Sequence, residues 1–226
     1  QTSSIVFVPG AGAVGNNRQI ALIAAGGVES LFPGPGLTSA GDFIWDGIHF
    51  GAAANPLSTS WIATNDNILF ATQSGATSNA LYIQSNMTTN LNNTFTAVAT
   101  SPVHALGDVT AGAITLTSTG DTATDGVFIT GDYTSILSTI TVNSQNDVVL
   151  FNTGSLNTFG NTITVTADTN LNSSGDITLD GNVSSAGGAV AFTAEGIVQN
   201  QGSVNAGSGT IAIDASSDPV IDDAIR

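Results

Sequence analysis

The sequence predicts an all-β chain: a right-handed parallel β-helix, or β-solenoid, with an irregular N-terminal β region. The first observation behind this is an internal repeat, which decides a fold before local propensity does. A glycine is followed two residues later by an apolar residue and, seven positions on, by an apolar-x-apolar pair. The copies are Gly131, Tyr133, Ile140, Val142; Gly154, Leu156, Ile163, Val165; Gly181, Val183, Val190, Phe192; and Gly202, Val204, Ile211, Ile213. The second observation is alternation. In Ile163-Thr164-Val165-Thr166 and Ile114-Thr115-Leu116-Thr117 the period is two, so aliphatics face one way and threonines the other. The third is spacing: counting a shorter copy at Gly107, the starting glycines lie 24, 23, 27 and 21 residues apart. A unit that short cannot bury its own apolar face and must stack on copies of itself.

Taken in order, residues 1–106 read as an irregular β cap or N-terminal coils. Ile5, Val6, Phe7 and Val8 make one apolar run. Gln19 to Ala24 makes another, with a short helix over residues 16–25 as the alternative, since Asn17 suits an N-cap and Gly26-Gly27 a stop. Further runs occur at Phe43-Ile44-Trp45, Ile48-His49-Phe50, Ile68-Leu69-Phe70, Leu81-Tyr82-Ile83 and from Phe95 to Val98. Both tryptophans, both histidines and five of the six prolines belong to this half. Residues 107–226 read as regular coils of about 21–27 residues with a short C-terminal tail. Each coil holds three short strands, because a third apolar run precedes each later glycine: Val127-Phe128-Ile129, Val148-Val149-Leu150, Ile177-Thr178-Leu179 and Ile197-Val198. At about 4.8 Å per coil this half is about 25 Å long.

Composition narrows the function. The chain has 17 acidic residues against 2 basic ones, a net charge of −15, and both bases are arginine, Arg18 and Arg226. Phosphate backbones are bound chiefly through Lys and Arg, so nucleic acid is not an expected partner, and anionic membrane surfaces are disfavoured for the same reason. No apolar run reaches the length of a spanning helix, so no membrane insertion is expected. Without cysteine there is neither a disulfide nor a thiolate metal site. The opening Gln1 leads to the expectation of a removed secretory signal, or of an excised piece. Sequons stand at Asn86, Asn92, Asn172 and Asn182.

No constellation reads as catalytic. The arginines sit at the chain extremes, far from a lyase arrangement, and the aspartates lie beside Gly, Asn or Thr at predicted corners, where Asp serves turn hydrogen bonding. His49 and His104 have no nucleophile motif beside them, and alternation turns His49 outward. Gly10, Gly12 and Gly15 spell G-x-G-x-x-G, but Gly26-Gly27 leave no room for a crossover helix. No cofactor is expected. Calcium is the one plausible ion, with Asp121, Asp125, Asp168 and Asp176 as candidates because a hard cation favours carboxylates and carbonyls in turns.

Residues 107–214, with Ile-Thr-Leu or Ile-Thr-Val strands after Gly-Asp, Gly-Ser or Gly-Asn corners, resemble the filamentous-haemagglutinin-like β-helix repeats of large secreted bacterial adhesins. The resemblance implies this fold and a secreted or cell-surface, non-enzymatic habit. It carries over no functional residue.

The resulting expectation is an extracellular structural subunit whose partners are copies of itself, joined non-covalently end to end into a filament, sheath or layer. The interface residues would be Ile5, Val6, Phe7 and Val8 at one end and Ile211, Ile213, Val220, Ile221 and Ile225 at the other. Pro219 and Asp222-Asp223 would instead blunt that second edge. Two alternatives stay open. One is an adhesin or carbohydrate-binding module with outward Trp45, Trp61 or Tyr82 as sugar platforms. The other is an ice-binding solenoid whose Thr115, Thr141 and Thr164 form an outward ladder that ends at Ala191 and Ala212.

Overall fold

A computed structural model describes strands over residues 18–24, 49–50, 61–63, 66–72 and 81–83 and, from 86 to 215, all residues except 90, 101, 172, 173 and 200. It is a β-solenoid, all-β and parallel throughout, with no helix among the described residues. Three sheets run along it. The first holds β1 (Arg18–Ala24), β4 (Asp66–Thr72), β7 (Thr94–Ala99), β10 (Ala113–Ser118), β13 (Ile140–Ser144), β16 (Ile163–Thr166), β19 (Val190–Ala194) and β22 (Ile211–Ala215). The second holds β2 (His49–Phe50), β5 (Leu81–Ile83), β8 (Val103–Ala105), β11 (Gly126–Ile129), β14 (Asp147–Leu150), β17 (Asp176–Leu179) and β20 (Gly196–Gln199). The third holds β3 (Trp61–Ala63), β6 (Met87–Thr89), β9 (Val109–Ala111), β12 (Asp132–Ser135), β15 (Ser155–Thr158), β18 (Asn182–Ser184) and β21 (Val204–Asn205).

Strands of residues 18–111 enter the same three sheets as those of the repeat. Residues 18–24 take the strand rather than the helix: β1 pairs with β4 over seven positions, from Arg18 opposite Asp66 to Ala24 opposite Thr72. Such a ladder satisfies backbone groups that a helix would have satisfied internally.

Parallel in-register stacking sorts residues into files. In the first sheet one inward file reads Phe95, Ile114, Ile140, Ile163 and Val190, and the next reads Ala97, Leu116, Val142, Val165 and Phe192. All ten are at most 1% exposed. The inward files of the other sheets, Val127–Val148–Ile177 and Val109–Tyr133–Leu156–Val183, meet them in one continuous core. Phe95 and Tyr133 touch edge to face across it, with ring centroids 6.4 Å apart.

The repeat's glycines form a file of their own at the entry to the third sheet, and they are there because the coils approach too closely for a side chain. A Cβ on Gly131 would lie 2.2 Å from the Gly107 carbonyl oxygen, on Gly181 2.3 Å from that of Gly154, and on Gly202 1.8 Å from that of Gly181. The constant step of seven residues has an equally local cause. At the corner between the third and first sheets, Ser135, Thr158 and Ser185 occupy one buried file and donate to carbonyls three residues on, those of Ser138, Asn161 and Gly188. That bond fixes the corner's length. In the last copy Ala206 replaces the hydroxyl, and Gly207, at φ +60°, donates its N–H to Asn205 Oδ1 instead.

Candidate functional site

The final strand is where the core meets an edge. β22 pairs with β19 on one side, placing Ile211 opposite Val190 and Ile213 opposite Phe192, and no described strand pairs with its other side. Val190 and Phe192 are buried, but Ile211 and Ile213 are each 48% exposed. Full burial of an aliphatic side chain is worth about 1.5–3 kcal/mol, so each of these leaves about 1 kcal/mol unrealised. β20 and β21 are the last described strands of the second and third sheets. Of the other residues expected at an interface, Ile5, Val6, Phe7, Val8, Val220, Ile221 and Ile225 lie outside the described residues.

The four calcium candidates fall at the corner between the first and second sheets, Asp121 and Asp125 on one coil and Asp168 and Asp176 on another. Asp121 is exposed. Asp125 is buried and committed to its own turn, accepting from the Thr122 N–H at 2.7 Å and the Thr122 hydroxyl at 2.8 Å. Asp168 is buried in a left-handed turn conformation, φ +53°. Asp176 donates its N–H to Asp147 Oδ1 at 3.0 Å. Partial burial first, then the charge of Asp147, hold the Asp176 carboxyl above its ordinary value, while a hydrogen bond from the Gly196 backbone opposes the rise. Among the described residues no group of three or more His, Asp or Glu side chains is placed to hold a metal ion. A shallow pocket at the same corner, lined by Ala167, Leu171, Thr193 and Ala194 among others, is largely apolar.

The three outward faces differ in chemistry. On the first sheet, Thr96, Thr115, Thr141 and Thr164 stand in one file, followed by Ala191 and Ala212. Thr117, Asn143, Thr166, Thr193 and Asp214 form the next. From Thr88 onward the outward file of the third sheet is polar: Thr88, Thr110, Thr134, Asn157 and Ser184. At its entry Asp108, Asp132, Ser155, Asn182 and Ser203 each occupy the position after a repeat glycine, and Asn86 stands one coil before them. Asn86 Oδ1 accepts the Asp108 N–H and Asp108 Oδ1 the Asp132 N–H, both at 2.9 Å, and Asn182 Oδ1 accepts the Ser203 N–H at 3.1 Å. The second sheet is the apolar one. The backbone register runs His49, Tyr82, His104, Phe128, Val149, Thr178, and the His104 and Phe128 rings stack with centroids 5.2 Å apart. Burial there lowers the pKa of His104.

Of the three proposed sugar platforms, Tyr82 holds a register position in this outward file, and Trp45 lies outside the described residues. Trp61 holds a register position opposite Met87, whose file continues through buried Val109, Tyr133 and Leu156. An odd-even shift of one residue exchanges the two faces of a strand, and in Trp61-Ile62-Ala63 both parities carry an apolar residue, so alternation gave no parity.

Compared with known protein families, curated proteins and solved structures, the chain matches none. Function therefore rests on the geometry. The Gly-Asp, Gly-Ser and Gly-Asn corners were visible in the sequence but not the hydrogen bonds that stack them, and the hydroxyl file at the third corner was missed although it carries a signal, Ser or Thr two residues after the first apolar residue.

Proposed function

We propose that this protein is an extracellular structural subunit that stacks end to end, without covalent links, into a filament, sheath or layer. The observation that carries the reading is the half exposure of Ile211 and Ile213 at the ends of two files that are buried from Phe95 to Val190 and from Ala97 to Phe192. Such an edge offers apolar side chains and a row of unpaired backbone groups, and pairing it with another chain satisfies both. The likeness of residues 107–214 to repeats of secreted adhesins supports placing it outside the cell. Negative-stain microscopy and light scattering of purified protein across concentration and salt test the proposal. Fibres or stacked rods are expected; a monodisperse monomer throughout would sink it.

A second reading, glycan binding, is favoured by the stacked His104 and Phe128 on the outward face of the second sheet. Aromatic faces there would stack on sugar rings, with the Asp147 and Asp176 carboxylates nearby as acceptors for hydroxyls. Glycan-array binding that is lost in Phe128→Ala favours this reading, and an array without signal removes it.

A further inference from the structure

We infer that the join is heterologous: β1 of one copy pairs, parallel and in register, with β22 of the next, so that Ile20 aligns with Ile211 and Leu22 with Ile213. This rests on the end-to-end reading and names its partner surface and register.

The register follows from pairings within the chain. Ile20 pairs with Ile68, Ile68 with Phe95, Phe95 with Ile114, and the same file continues through Ile140, Ile163 and Val190 to Ile211. Leu22 leads in the same way through Phe70, Ala97, Leu116, Val142, Val165 and Phe192 to Ile213. Every member of these two files is apolar, so β1 belongs to the series that β22 ends. β1 and β22 are the two terminal strands of the first sheet among the described residues. Because all pairings are parallel, a second copy translated along the axis presents its β1 to the free side of β22 with the polarity and parity of the preceding coil. The five residues of β22 then face residues 20–24, and Ala21 aligns with Ala212 in the outward file.

Strand counts place the contact. Among the described residues the first sheet has eight strands and the others seven, so a copy seated on β22 leaves the described strands of the second and third sheets with a gap about 4.8 Å wider than a normal spacing. The first sheet carries the join. A head-to-tail contact of this kind does not close on itself and propagates as a fibre.

The 226 residues include no cysteine, which allows a direct test on the whole of this chain. Ala21→Cys and Ala212→Cys are made singly and together, and folding is checked by circular dichroism. After mild oxidation the double variant is expected to give a ladder of covalent oligomers. A mixture of the two single variants is expected to give the heterodimer, at least tenfold above either alone. Ala21→Cys with Asp214→Cys, displaced by two residues or about 6.6 Å along the strand, is expected to give at least tenfold less ladder. A stronger ladder from Asp214→Cys, or dimers from one single variant alone, overturns the register or the head-to-tail geometry. Fibres in the microscope with no ladder from either pair overturn the β1–β22 join and leave end-to-end assembly standing. Absence of any oligomer from the parent chain overturns both.

Discussion

Replacing Gly181 by alanine should loosen the stack at one defined level. The added Cβ would lie 2.3 Å from the Gly154 oxygen, 2.4 Å from the Phe151 oxygen and 2.8 Å from Leu150 Cγ. Two of these are backbone carbonyls, so relief requires moving a coil by about 1 Å rather than turning a side chain. Overpacking in a dense interior costs about 1–3 kcal/mol. The same shift weakens the hydrogen bond from the Asn182 N–H to the Gly154 oxygen, already 3.3 Å, for about 1 kcal/mol more. Reduced freedom of the unfolded chain returns about 0.4–1 kcal/mol. The net is about 2 kcal/mol, or a fall of roughly 4–8 °C in melting temperature for a chain of this size. Urea unfolding and calorimetry read it, with Gly160→Ala as the reference. Gly160 has φ +86° and nothing within 4 Å of a built Cβ, so its substitution costs only the left-handed backbone strain, about 1 kcal/mol. If Gly181→Ala destabilises no more than Gly160→Ala, close backbone approach is not what holds the repeat's glycines in place.

The fully buried Tyr133 hydroxyl has no hydrogen-bond partner, so Tyr133→Phe should leave stability unchanged or raise it by about 1–2 kcal/mol in chemical denaturation. Burial, and secondarily the charge of Asp108, raise the Tyr133 pKa far above its ordinary 10.0; the folded state therefore favours the protonated phenol, and stability present below pH 10 is lost as pH rises beyond it. Alkaline unfolding should begin at higher pH in Tyr133→Phe, and identical alkaline limbs would contradict this. Ser135→Ala removes the hydroxyl that lies 2.7 Å from the Gly112 oxygen and 2.9 Å from the Ser138 oxygen, and should cost about 1–3 kcal/mol by urea titration. Ile211→Asp with Ile213→Asp should lower the monomer's melting by only about 4–8 °C, because both side chains are half exposed and the pair forfeits about 2 kcal/mol of burial, yet raise the critical concentration for assembly at least a hundredfold by sedimentation. With a net charge of −15 the parent chain should assemble more readily as salt screens its self-repulsion, and light scattering that is flat from low to high salt would contradict that.

By itself the sequence determined the solenoid, the three strands per coil and the inward residues of the repeat. Periodicity of two and a repeat of twenty-odd residues are properties of the chain that survive without coordinates, as in Ile163-Thr164-Val165 and Gly181-x-Val183. It also pointed to Ile211 and Ile213 as the last core residues. It could not assign residues 18–24, where a strand and a helix were both compatible with the letters, because what decides between them is a partner strand 48 positions away. It could not place Trp61, since parity is set by register against Met87 rather than by local pattern. The four aspartates looked alike as letters; the fold spends Asp125 on Thr122 and sets Asp176 against Asp147, because turn geometry and coil stacking decide which atoms a carboxylate meets. The apolar character of one outward face and the half exposure of the final coil were likewise decided by tertiary structure. Both depend on which strands lie side by side, and that is information no single strand contains.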